Sequence, residues 1–231
     1  MTALAPSTVR TAPSVVPATD PADVRAVVDV VLLDLVHARR TVGQTVRVPE
    51  LALASGRPCA AARLAVGRLA DAGVLVRSPF STDAVVAWQP GQNRLLLRRL
   101  SRLVAVAAGQ APDLEQLPEP PHGALVAEAA GLTVPFDAVR VLALCRSLFT
   151  VLPTPGLTAD GLELLDLLEV LCSDEMTAAH DVQASVPARV RDEIVDRLEL
   201  AAHLGDWVAV REIAQDYVEA ATPESVAAAS R

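Results

Sequence analysis

The sequence predicts a mainly α-helical chain in two parts: three helices with a small β-hairpin, then an all-α C-terminal part. Three observations carry that expectation. Apolar residues recur at spacings of three and four over most of the chain. Strand-like alternation is confined to short pieces near residues 46, 74 and 86. Residues 109–122 (GQAPDLEQLPEPPH) then hold four prolines and no periodicity, which marks a boundary between the parts.

Taken in order, residues 1–19 are rich in Ser, Thr, Pro and Ala and read as a loose tail. Asp20-Pro21 supplies a cap and a first-turn proline for a helix to about Arg40, with Val24, Val27, Val28, Val31, Leu32, Leu35 and Val36 on its apolar face. Val46 to Val48 reads as a short edge strand, and Pro49 opens a short helix over 50–54 that Gly56 breaks. Pro58 opens the next helix, from about Cys59 to Ala72, and Gly73 stops it. Residues 74–76 and 84–88 form the arms of a hairpin around the turn-rich 78–83. A helix over 93–108 carries an apolar seam (Leu96, Leu97, Leu100, Val104) that either pairs with a second copy or packs within the chain. Further helices are expected at 123–130, 136–151, 158–172, 175–184, 187–204 and 207–221. The domains are therefore 20–108, a linker at 109–122, and 123–221, with a tail at 222–231.

With 231 residues, 52% hydrophobic and 21% charged, the chain can bury a sizeable core. Its net charge of -8 argues at first against a nucleic-acid partner. The charges are unevenly placed, however. Residues 1–102 carry 13 Arg against 7 acids, a net of +6, and residues 103–231 carry 7 Arg against 21 acids, a net of -14. Such a split points to two parts with different partners. The longest uncharged stretch, Ser147 to Ala159, has 13 residues and two prolines, short of the roughly 20 apolar residues of a membrane span. The start lacks the basic-then-apolar pattern of a signal peptide, and the three cysteines are odd in number and far apart. A cytoplasmic protein is expected.

The segment VRVPELALASGRPCAAARLAVGRLADAGVLVRSPFSTDAVVAW resembles a winged helix-turn-helix domain. Its "ELA" and "RLADAGVLVR" are similar to bacterial transcriptional regulators of GntR and MarR type. The resemblance covers about a third of the chain and assigns no one family. It implies that the helix starting near Cys59 lies in the DNA major groove and presents its first residues to base edges. On that helix Ala62, Val66 and Leu69 are expected to face inward. Arg57, Ala60, Ala61, Arg63 and Arg68 then face DNA or solvent, and Arg77, Ser81 and Thr82 of the wing reach backbone or minor groove. Arginine suits bidentate contact with guanine or phosphate, and small alanines permit close approach.

Other groups fall short of a site. Cys59, between Arg57 and Arg63 at a helix start, is a candidate redox thiol, although buried structural cysteines are commoner. Asp160, Glu163, Asp166 and Glu169 form an acidic ridge that reads as the wet face of an amphipathic helix. Some GntR-type regulators bind a metal in a helical effector domain through an Asp and several His. "LAAHLGDWVAVREIAQDYVEA" resembles the end of that domain, but the spacing of His122, His180 and His203 does not match a ligand set, and His180-Asp181 remains only a fragment. No catalytic signature occurs, so no enzyme, metal or cofactor is expected. The expected function is a homodimeric regulator binding double-stranded DNA, with its acidic half dimerising or taking a small-molecule or protein partner. The alternative is a non-catalytic scaffold that uses the winged helix to bind proteins.

Overall fold

The computed structural model describes residues 19–79, 81–89, 93–110, 131–152, 154–179, 183–184 and 186–224. Helix α1 (Pro21–Val36) starts as its sequence dictates: the Asp20 side chain accepts from the Ala22 N–H at 2.9 Å, and Pro21 fills the first helical position. The helix ends four residues before the expected Arg40. Its apolar period stops at Val36, and Ala38 turns the chain in the left-handed region at φ 51°. Arg39 and Arg40 then fold back to share the Asp34 carboxylate.

Strand β1 (Thr45–Val46), helix α2 (Val48–Ser55), helix α3 (Cys59–Asp71) and strands β2 (Leu75–Arg77) and β3 (Ala84–Val86) complete the N-terminal module. The antiparallel sheet has order β1-β3-β2, with Thr45 opposite Val85 and Val76 opposite Val85 on the other side. Between α2 and α3, Gly56 adopts φ 64°, and the Arg57 N–H closes the tight turn onto the Ala52 carbonyl. Helices α1, α2 and α3 pack on one another around Val31, Leu35, Leu51 and Leu69, all nearly inaccessible. This is a winged helix: three helices and a β-hairpin wing.

Helix α4 (Asn93–Gln110) leads out of it. Its seam is buried within the chain against the C-terminal helices and is not free to pair with a second copy. Those helices are α5 (Phe136–Thr150), α6 (Pro155–Leu171), α7 (Asp174–Ala179), α8 (Ala188–His203) and α9 (Trp207–Ala221). The expected helix 175–184 stops at Ala179. Strand β4 (Gln183–Ala184) follows and pairs antiparallel with β5 (Pro223–Glu224), a strand where a tail was expected. The expected helix 123–130 lies outside the described residues.

Two hydrogen bonds tie the end of the wing to the helical half. Trp88, buried at the end of the wing, donates its indole N–H to Asn93 Oδ1 at 3.1 Å. Asn93 in turn donates its amide to the Leu171 carbonyl at the end of α6, at 2.9 Å. Helices α5 and α6 cross so closely that a Cβ on Gly161 would lie 2.6 Å from the ring of Phe149, itself fully buried. Gly161→Ala should lower stability by about 1–3 kcal/mol through overpacking, although alanine is the better helix former by about 1 kcal/mol. Urea unfolding measures this, and a gain in stability would show that the crossing is looser.

Candidate nucleic-acid interface

The exposed side of α3 is built by subtraction. Ala61, Ala62, Ala65, Val66 and Leu69 turn into the core. The inward placement of Ala62, Val66 and Leu69 matches the expected face, but Ala61 has no exposure and cannot meet a ligand on the outside. Its neighbour Ala65 shares the interior, so the apolar face is wider than a three-and-four spacing from Ala62 implies. Ala60 is half-buried at the edge. Cys59, Arg63, Leu64, Arg68 and Asp71 remain exposed.

Gly67 decides how the wing sits on this face. A Cβ there would lie 2.6 Å from an outer nitrogen of Arg77, so the Arg77 guanidinium rests directly on the glycine. Arg77 comes from β2, and Gly67 stands one helical turn beyond Arg63. The two cations therefore reach one side of α3 from different elements. Neither makes an ion pair among the described residues. Leu64, with about half its surface exposed, lies beside them, an apolar group that the sequence reading did not select.

The other expected cations are engaged. Arg57 bonds Asp23 of α1 at 2.8 Å, tying the tight turn to the first helix. Arg68 faces Glu163 of α6 at 3.6 Å, towards the helical half. Both pairs are partly exposed, so each holds its arginine only weakly. In the wing, the Ser78 N–H donates to the Asp83 carbonyl and the Asp83 N–H to the Ser81 hydroxyl at 3.1 Å. Ser81 and Thr82 are exposed at its tip. At the start of α3, Pro58 offers no side-chain cap, which leaves the first-turn N–H groups without a side-chain partner. On α4, Arg94, Arg98, Arg99 and Arg102 are exposed and free of ion pairs among the described residues.

The acidic ridge departs from its expected role. Only Asp160 is fully wet; Glu169 is completely buried, and Asp166 largely so. Arg146 of α5 binds Asp166 at 2.8 Å and Glu169 at 3.1 Å, and Arg25 of α1 also bonds Asp166. Their partners lie far away in sequence, so the helix alone reads as amphipathic. No group of three metal-ligating side chains occurs among the described residues. His122, His180 and Asp181 lie outside those residues.

No family model matches the chain, and no curated protein matches it. Solved structures do. E. coli McbR/YncC is 17% identical, over 85% of this chain and 93% of that one, with a TM-score of 0.49. Lar, which controls expression of the Listeria monocytogenes agr system, is 13% identical over 86% and 94%, with a TM-score of 0.42. A GntR family transcriptional regulator from Pseudomonas syringae pv. tomato is 16% identical over 87% and 84%, with a TM-score of 0.40. No described helix is long and apolar enough to cross a membrane.

The thiols differ in access. Burial pushes Cys145 up to about 12, and burial with the nearby Asp137 charge pushes Cys172 up to about 12. Cys59 is exposed. In the native protein at mildly alkaline pH, a chromogenic disulfide reagent should titrate one thiol quickly, and all three only after denaturation. Loss of the fast phase in Cys59→Ser identifies it; a fast phase that survives would place the reactive thiol elsewhere.

Proposed function

We propose that the chain is a DNA-binding transcriptional regulator of bacterial type, acting in the cytoplasm as a homodimer. The winged helix reads an operator, and the acidic helical half sets dimer geometry or takes an effector or protein partner. The observation that carries this reading is the pairing of Arg63 with Arg77 on one exposed side of α3, with no acid bonded to either among the described residues. A major groove admits this helix, and two free guanidiniums meet phosphate or guanine there. Leu64 supplies an apolar contact suited to a thymine methyl. Arg57, Ala60, Arg68, Ser81 and Thr82 are the further DNA contacts in this reading; Arg57 and Arg68 reach DNA only by exchanging a carboxylate for a phosphate. No step in this role breaks or forms a covalent bond.

The test is a titration of the full chain into labelled duplex DNA of mixed sequence at about 50 and about 200 mM salt, because released counterions make such binding fall steeply with salt. Arg63→Ala and Arg77→Ala should each weaken binding and reduce the salt slope by about 1. Glu163→Gln, which frees Arg68, should bind more tightly. Absence of salt-sensitive binding in the native chain would overturn the reading and leave the protein-binding scaffold in its place.

A further inference from the structure

The helical half holds a partly open cavity of about 340 Å³ among α4, α5, α6, α8 and α9, within the usual volume range of small-molecule sites. Leu97, Leu100, Val141, Leu142 and Leu168 supply an apolar wall. Its polar part centres on Asp137. Arg191 donates to Asp137 at 2.6 Å and 3.1 Å, and Tyr217 donates to the same carboxylate at 3.1 Å. A third Arg191 nitrogen donates to the Val186 carbonyl at 2.7 Å. The guanidinium has five N–H groups, so two are left without a partner among the described residues and can serve a ligand.

That arithmetic selects the ligand. The buried Asp137 and Arg191 neutralise each other, and the rim adds the exposed carboxylate of Asp174. An anion entering here meets Asp137 and Asp174; a cation meets Arg191 and a carboxylate already holding three hydrogen bonds. Inside the cavity either ion is desolvated away from a free counter-charge, because the exposed Asp174 carboxylate stays in water at the rim, and that is costly. A neutral molecule with one oxygen acceptor uses the spare Arg191 donors at no such cost.

The cavity also touches the join between the halves, because Asn93 lines it while bonded to Trp88 and to the Leu171 carbonyl. We propose that this cavity binds a small neutral molecule, an apolar body bearing one hydroxyl or carbonyl, and that Asn93 relays its presence to the winged helix. The relay rests on the DNA-binding reading above; the site itself does not.

The probes are benzyl alcohol, benzoate and benzylamine, with the cyclohexyl series of the same three head groups beside them. The sequence holds two tryptophans, so the full chain carrying Trp207→Phe reports on Trp88 alone. The alcohols should change Trp88 emission saturably and bind at least about tenfold more tightly than either charged partner. Ala138→Phe, which fills the cavity, should weaken the alcohols by at least about tenfold. No saturable binding by either alcohol, equal binding of the ions, or indifference to Ala138→Phe overturns the site. In the DNA titration, saturating alcohol should shift the affinity of the native chain at least about threefold. It should leave folded Asn93→Ala or Asn93→Asp unmoved while both still bind alcohol. DNA binding that alcohol never alters overturns the relay. Failure of all DNA binding overturns the regulator reading and with it the relay, and the fluorescence result still decides the site.

Discussion

The position of the winged helix depends on a string of arginine–carboxylate pairs along α6. Asp166 receives Arg25 from α1 and Arg146 from α5, and Arg146 also reaches the fully buried Glu169. Removing these charges from water is unfavourable, and the arrangement holds because each buried carboxylate meets a guanidinium. Around the pairs, Val28 and Leu32 of α1 face Leu167 of α6 across a small cleft. The apolar contact supplies attraction, and the pairs fix the register of α1 against α6.

The same constraint sorts the cations of the basic half. Arg25 and Arg68 are turned towards α6, Arg57 is held by α1, and Arg63 and Arg77 are left on the outer side of α3. An overall charge of -8 therefore conceals a face with two guanidiniums that pair with no acid among the described residues. The acids that make the total negative lie in the other half, where several are consumed by internal pairing. Helix α4 joins the two regions: its inner seam completes the helical core, its outer arginines stay in water, and its first residue, Asn93, bonds to both halves.

Most helices were legible because their apolar spacing and caps are local. Asp20-Pro21, Pro49, Gly56 and Gly73 mark starts and stops near where the chain obeys them. Errors arose where a neighbour in space decides the outcome. Ala61 has a side chain too small to declare a face, and only its packing shows that it belongs to the core. The helix expected over 175–184 contains Gln183 and Ala184, which pair instead with residues forty positions later. Glu169 looks like a solvated acid until Arg146 is brought against it.

The sequence by itself determined the order of helices and hairpin, the uneven charge and the arginines from which an outer surface would be drawn, because propensity, capping and composition act over a few residues. The tertiary structure decided which arginines stay free, which acids become buried partners, and where a cavity opens beside Asn93. Those outcomes depend on long-range packing, in which a charge is free or spent according to the element that lands next to it.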